Sequence, residues 1–402
     1  MKNSRTIKLG ILGGRRGNHL AQVIKPRSDL YEVSAFCDTD ESVLLKCRED
    51  FPSAKCYTRY EDLLEQDIDA VVIATPMKLH AAQTIQALRA GKHVLAEVLA
   101  AITLDECWAL VEEVERSGLV YMMAENYCYH RANQVVLNIV RKGLLGKLTY
   151  GEGGYLHDWR NIMFRPDGSW IGYGELKHLY NGNVYPTHSF GPLAQWFGLL
   201  REGGDSLVSL VSFATGQNTV APYVREHFGA DHPGAQNDYW KMGDTSITVM
   251  QTANEALLLL RHDTNSPRPH NVSHYGLQGT KGAYLAGRTY QEDPLIWIEG
   301  MSEGESPGNS AKWDSLWKFT PEYDAPFWRS IPKEEHHWWT GDGMMMQDFA
   351  DAVHEGTLPP INVYDAVTWS AIMPLSIQSI REKGKVLEFP DFTRGKRLTL
   401  SL

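Results

Sequence analysis

Ile7-Lys8-Leu9-Gly10-Ile11-Leu12-Gly13-Gly14-Arg15-Arg16-Gly17 decides the fold. A short apolar run, of the kind a buried parallel strand needs, is followed at once by three closely spaced glycines and then by a helix pattern. Glycine is required where a backbone turns tightly and lies against a pyrophosphate with no Cβ in the way. The spacing departs from a clean G-x-G-x-x-G, because Arg15 occupies the place of the second glycine. Alone, the loop reads equally well as a glycine-rich turn with no ligand.

Working outward, further short β-rich runs fall at Val33–Cys37, Ala70–Ala74, His93–Ala96 and Leu119–Met123, with helix patterns between them. The clearest helix starts at Thr103. Glu106 completes a capping box, Leu104, Cys107, Leu110, Val111 and Val114 share one face, and Gly118 is placed to stop it. Alternation of this kind predicts a doubly wound parallel sheet, an α/β Rossmann domain. Asp38 stands at the end of the second run. A carboxylate there accepts both ribose hydroxyls and repels a 2′-phosphate, which predicts NAD over NADP; Arg15 and Arg16 argue the other way. Glu97 ends the fifth run and Asn126 follows the sixth, at strand C-termini where ligands sit in such sheets. Both are expected to border the nicotinamide, with a helix cap or turn as the alternative.

After Tyr127 the texture changes. A helix pattern at Asn133–Lys142 precedes longer β-like runs at Leu207–Ser212, Ser246–Gln251 and Ala256–Arg261, separated by Gly/Pro/Asn loops. These predict an α+β domain with an open, mainly antiparallel sheet. Domains are therefore expected at residues 1–126, binding NAD, and 127–402, binding substrate and oligomerising. Asp158–Asn183 and Thr289–Lys333 are too long for idle connectors and are expected to be lids or oligomer arms. Helices are expected near Asp342–His354 and Tyr364–Lys383.

Bulk properties bound the function. A chain of 402 residues, 43% hydrophobic and 22% charged, is a globular protein of two or three domains. A net charge of -10 argues against a nucleic-acid partner. The five cysteines form no Cys-x-x-Cys pair, and Cys37, Cys56, Cys107 and Cys128 read as small buried hydrophobes in a reducing compartment. Met1–Thr6 is polar, with no room for a signal peptide, and no apolar run spans a membrane, so a cytoplasmic location is expected. The 12 tryptophans suit sugar stacking, but mostly read as core and interface residues.

Ala74-Thr75-Pro76-Met77-Lys78-Leu79-His80, Gly91-Lys92-His93-Val94-Leu95-Ala96-Glu97 and Gly279-Thr280-Lys281-Gly282 resemble the Gfo/Idh/MocA family of sugar and cyclitol oxidoreductases, over nearly the whole chain. The resemblance implies that substrate lies between a Rossmann domain and an open-sheet domain. It also implies cofactor contacts at Gly13, Gly14, Arg16, Gly17, Asp38, Thr75, Pro76, His80, Glu97 and Asn126. Ordinary members read Glu-Lys-Pro after the fifth strand, with the lysine at the reacting hydroxyl. This chain reads Glu97-Val98-Leu99, and valine has no proton to give or take. The usual Asp-x-x-x-His is missing too, because Val184 stands four before His188.

One branch shares these departures. Tyr121-Met122-Met123-Ala124-Glu125-Asn126, Gly153-Gly154-Tyr155-Leu156-His157-Asp158, Tyr185-Pro186-Thr187-His188 and Phe389-Pro390-Asp391-Phe392-Thr393-Arg394-Gly395-Lys396 are similar to the NAD-dependent glycosidases of glycoside hydrolase family 109, typified by α-N-acetylgalactosaminidases. The resemblance implies a cycle in which NAD is not consumed. Hydride leaves the sugar C3, a base takes the acidified C2 hydrogen, and the C1 group is eliminated. Water then adds, and the hydride returns. Such a cycle needs bases near C3 and C2 and an acid near the leaving group, without the two opposed carboxylates of ordinary glycosidases.

His188 and Tyr185 are the first candidates, held by Pro186 toward one point. Tyr155 and His157 alternate on an expected strand and so face one side, with Asp158 pointing away. The bland alternative is that both histidines are structural. Tyr127 and Tyr129 are expected near the domain seam. His262-Asp263 with Arg268-Pro269-His270 looks like a substrate loop of this branch, or else an exposed polar turn. Glu334, Glu335, His336 and His337 are metal-ligand types, but adjacent residues rarely converge on one ion, so no metal is expected. Trp338 and Trp339 beside them suit the floor of a sugar site.

Three functions compete. The missing lysine favours a glycosidase, and the missing export signal favours a plain NAD-dependent sugar dehydrogenase. The retained Tyr and His residues argue against a catalytically dead sensor. A free sheet face predicts a homodimer or homotetramer.

Overall fold

The computed structural model describes residues 5–289, 291–306, 308–332 and 340–399. Two compact units divide the chain. The first comprises Met1–His130, Ile331–Ala371 and Phe392–Leu402; the second comprises Arg131–Ser330 and Ile372–Asp391. A single break after residue 126 would place Ile331–Ala371 and Phe392–Leu402 in the second unit, whereas their contacts lie with the first.

The first unit is a Rossmann fold. Strands β1 (Ile7–Leu12), β2 (Tyr31–Cys37), β3 (Lys55–Tyr57), β4 (Ala70–Ile73), β5 (His93–Ala96) and β6 (Tyr121–Met123) form one parallel sheet in the order β3-β2-β1-β4-β5-β6. The order reverses at β1, so the glycines that follow it lie at the switch point, where such sheets bind ligands. Buried β1, β4 and β5 are nearly all apolar because helices cover both faces of a parallel sheet. The capping box forms as expected: Thr103 and Glu106 bond reciprocally, and Gly118 ends the helix with φ 65°. Strand β3, three residues long and half-exposed, carries too little apolar signal to be read from sequence. Tyr127 and Tyr129 are buried within this unit, where the Tyr129 hydroxyl donates to Asp348 at 2.8 Å.

The second unit is built on a nine-stranded sheet. Its strands are β7 (Leu148–Leu156), β8 (Leu207–Ala214), β9 (Ser246–Thr252), β10 (Leu257–Asp263), β11 (Asn271–Gly279), β12 (Gly282–Leu285), β13 (Leu295–Ile298), β14 (Asp314–Ser315) and β15 (Leu387–Glu388). Among the described strands of this sheet, only β7 and β10 pair in parallel. The register puts Tyr284, Leu277, Gly151, Leu258, Met250 and Leu210 in one row, and those with side chains are buried. One residue along, Leu285, Gly276, Glu152, Leu259, Val249 and Val211 form the opposite row, which is mostly half-exposed. Period-two alternation thus gives a one-sided sheet, with helix Thr187–Trp196 on its buried face.

Both long loops hold structure. The first contains helix Gly172–Leu179 and shares a small core of Met163, Val220, Ala221, Val224, Ala235 and Trp240. The second supplies β13 and β14 and the short helices Thr320–Tyr323 and Pro326–Ser330. Helices Thr340–Glu355 and Val363–Arg381 stand where the pattern placed them. All five cysteines are free. Among the described residues, no helix is long and apolar enough to cross a membrane. Glu334, Glu335, His336, His337, Trp338 and Trp339 lie outside the described residues.

Candidate active site

The glycine loop of the first unit is built for close approach. Gly13 has φ 93°, and a Cβ there would stand 2.4 Å from the Ala74 carbonyl oxygen; one on Gly17 would stand 2.3 Å from Ile11. Strand β1, the end of β4 and helix Gly14–Ile24 can therefore meet only through glycine. That helix begins with no side-chain cap and no acidic residue in its first turn, leaving a positive end suited to phosphate. Asp38 accepts from the Gly14 N–H at 2.7 Å and the Asp40 N–H at 2.9 Å. Each of its oxygens keeps a further lone pair for a ribose hydroxyl. Arg15 pairs with Asp40 on the surface. These residues fit NAD.

Arg16 turns elsewhere. Its Nε donates to Glu97 at 2.6 Å, while Nη1 and Nη2 donate to the two oxygens of Asp342 at 2.9 and 3.0 Å. Burial alone lowers the proton affinity of that guanidinium, but Glu97 and Asp342 more than reverse the effect. Asp342 is wholly buried. Burial favours its neutral acid, yet bonds from His19, Arg16 and Asn126 hold its pKa below the ordinary value. Arg16, Glu97 and Asn126 are thus gathered around a carboxylate that no local sequence signal singles out. Thr75, Pro76 and His80 lie at and beyond the end of β4. His80 is buried, with Nδ1 2.7 Å from the Leu99 carbonyl and Nε2 2.6 Å from the Thr75 carbonyl, so its ring joins the segments that follow β4 and β5.

In the second unit the four candidate side chains converge. Gly151, Gly153 and Tyr155 share one face of β7. A Cβ on Gly153 would lie 2.2 Å from the Ser189 carbonyl oxygen, so the glycine lets helix Thr187–Trp196 rest directly on the strand. The next residue on that face, Tyr155, then meets the start of the helix. Its ring centroid is 5.3 Å from Tyr185, 5.3 Å from His188 and 6.0 Å from His157. Tyr185 and His188 lie 5.0 Å apart. The Tyr275 hydroxyl donates to the His188 carbonyl at 2.5 Å and fixes the helix start. His157 and Asp158 lie just beyond the end of β7, and Asp158 pairs with Arg160.

The end of β10 and the loop after it join this cluster. His262 pairs in register with Tyr155 and stacks 6.5 Å from it, and His270 stacks on His157 at 3.8 Å. Burial, reinforced by His270, lowers the His157 pKa to about 4; burial, reinforced by Lys177, lowers that of His262 to about 3. Both rings are held in the neutral form, and burial makes each a weaker base than a free imidazole. Two members went unread in the sequence. Trp159 is buried against Tyr185, Tyr155 and Tyr173, and Lys177 is wholly buried beneath it. The only available signal for Trp159 was its position two residues past His157.

Comparisons with known proteins agree with this layout. Residues 7–125 match the family model described as oxidoreductase family, NAD-binding Rossmann fold, and residues 129–399 match that of glycosyl hydrolase 109, C-terminal domain. Proteins named glycosyl hydrolase family 109 protein are similar over almost the full length. That of Shewanella putrefaciens is 36% identical across 97% of this chain and 85% of the relative. That of Stenotrophomonas maltophilia is 34% identical across 97% and 90%. Among solved structures, an oxidoreductase domain protein from Kribbella flavida superposes with TM-score 0.77 at 18% identity, covering 96% of this chain and 99% of that one. A levoglucosan dehydrogenase in complex with NADH and L-sorbose gives 0.77 at 17%, covering 96% and 100%. These two likenesses concern the fold. The glycine loop and Asp38, the matched Rossmann family and the relatives' full-length identity together place this chain in glycosyl hydrolase family 109, as an NAD-dependent enzyme.

Proposed function

We propose that this enzyme cleaves a glycoside by transient oxidation at the sugar C3, with elimination across C1–C2 and addition of water. The observation that carries the reading is the convergence of Tyr155, Tyr185 and His188 within 5.3 Å, beside the neutral ring of His157. A redox cycle through C3 and C2 needs several proton acceptors and donors at adjoining carbons, which is what two phenols and two imidazoles supply. Val98 stands where related dehydrogenases use lysine, so the acid–base work falls to these rings. Gly13, Gly14, Gly17 and Asp38 hold NAD, with Thr75, Pro76, His80, Arg16, Glu97 and Asn126 shaping the sheet edge around them. A bound NAD would supply a reversible hydride acceptor for the sugar carbon. His188 and Tyr185 take the proton of the reacting hydroxyl. His157 and Tyr155 remove the C2 hydrogen and protonate the leaving oxygen. Trp159 and Tyr173 offer apolar faces to a sugar ring.

The first unit is the NAD-binding domain and the second binds substrate. The second also self-associates, as a homodimer or homotetramer, through its half-exposed sheet face, where Leu257 and Leu285 are 46% and 41% exposed.

Cleavage of a nitrophenyl glycoside in deuterated water tests the reading. Deuterium at C2 of the released sugar is the expected result. Cleavage without label excludes the elimination, and net formation of NADH with an oxidised sugar makes the enzyme a dehydrogenase.

A further inference from the structure

We infer that Lys177 is a positioning residue for the substrate-side chemistry: its ammonium, enclosed beneath Trp159 and tied to the end of β10, fixes the aromatic wall and sets one positive charge beside His157 and His262. The inference rests on the sugar-active reading above.

Lysine is almost never fully buried unless something holds its charge. Lys177 is 0% exposed. Its three donors go to the Thr264 carbonyl at 2.8 Å, the Thr264 hydroxyl at 2.7 Å and the Asn265 side-chain oxygen, and its Nζ lies 5.2 Å from the centre of the Trp159 ring. All are neutral partners. A strongly hydrated ammonium is costly to place there, and a methionine of the same length would fill the space without that cost.

The site behaves as a rivet. The Lys177 carbonyl accepts from the Lys241 and Met242 N–H groups at 3.0 and 3.1 Å. The Trp159 N–H reaches the same Thr264 oxygen at 3.1 Å. Helix Gly172–Leu179, the segment at Lys241 and the end of β10 are thereby joined under the indole that touches Tyr155, Tyr185, His157 and His262.

Charge is the second half of the case. Asp263, Asp158 and Asp244 face the ammonium and favour it; Arg160, His157 and His262 face it and oppose a further positive charge. Burial brings the Lys177 pKa down to about 7 against those carboxylates. Asp263 is held ionised by Ser266 and Thr245 despite its own burial. His262 Nε2 is buried with no hydrogen-bond partner among the described residues, so only the nearby charge of Asp263 favours a proton there. Lys177 thus helps keep both imidazoles as bare acceptors.

Lys177→Met removes the charge and keeps the length. Histidine-selective carbon labelling, assigned with His157→Gln and His262→Gln, reads the ring titrations directly. The His157 midpoint is expected to rise by about half a pH unit or more in the Met variant and to stay in place in Lys177→Arg. With an aryl glycoside, kcat is expected to fall about tenfold or more, with its acidic limb moved to higher pH. A folded Met variant with an unmoved His157 midpoint overturns the inference. If the variants do not fold, the wild type decides: its His157 and His262 signals must show a second inflection near pH 7, where Lys177 loses its proton, and its absence also overturns the inference. The ring titrations need no turnover, so a protein that cleaves no glycoside defeats the glycosidase reading and leaves this test intact.

Discussion

The polar node of the first unit and the aromatic cluster of the second bury charge in opposite ways. Arg16 faces two carboxylates, and each partner locks the others in the ionised form. Lys177 bonds only to a carbonyl, a hydroxyl and an amide beneath an indole, with Asp263, Asp158 and Asp244 acting on it at longer range, and burial pushes the histidines around it to their neutral form. Salt-bridged groups hold shape but have no proton to exchange at working pH. Neutral imidazoles and phenols keep N–H and O–H donors and free lone pairs that a substrate can use. The same chain thus separates a framework that fixes geometry from one that moves protons.

His188→Ala probes that separation with the largest effect. Turnover is expected to fall by about a thousandfold or more while the NAD content, assayed as nicotinamide released on denaturation, is unchanged. Loss of NAD from this variant would show that His188 supports the cofactor unit and would collapse the distinction. Arg16→Met attacks the other side by leaving Asp342 buried without its cation. About 3 kcal/mol of stability is expected to go, read from the denaturant midpoint; an unchanged midpoint would mean that the node is not structural. Asp38→Ala should leave stability nearly unaltered but weaken NAD by about tenfold and narrow its preference over NADP, as measured by calorimetry. A wild type that prefers NADP would assign the site to Arg15.

Asp348 gives the smallest effect, and one that depends on pH. Burial raises its pKa to about 6, with Asp351 adding to the shift and the bond from Tyr129 opposing it. The folded state therefore holds this proton more tightly than the unfolded chain does. The associated stability is full below the ordinary carboxyl range and is lost as pH rises through about 6. Asp348→Asn imitates the protonated acid, so it should stabilise the protein by on the order of 1 kcal/mol at pH 8 and do nothing at pH 4. Equal effects at both pH values would show that the carboxyl is already ionised in the acid range.

Legibility followed distance along the chain. The glycine loop, the capping box at Thr103 and Glu106, and the period-two strands could be read because their signals are local: a turn, a cap and an alternation each lie within one element. Tyr155, His157, Tyr185 and His188 stand out because they fall within short segments that carry the family resemblance, with Pro186 stiffening the second of them. Asp342 could not be read, because its meaning comes from Arg16, 326 residues away. Lys177 was hidden for another reason. A lysine in a polar loop reads as exposed, and only Thr264, Asn265 and Trp159 turn it inward. Helix Gly172–Leu179 gives only a weak helical period, because two of its eight residues are glycine and its apolar residues are few.

The first unit is not closed by its strand-bearing segment alone. Residues 1–130 carry all six of its strands, yet the Met123 N–H donates to the Ile361 carbonyl, the Tyr31 hydroxyl to the Met346 carbonyl, the Ala100 N–H to the Ser370 hydroxyl, and Arg16 pairs with Asp342. A fragment ending at residue 330 would keep the glycine loop but lose the helix that supplies Asp342.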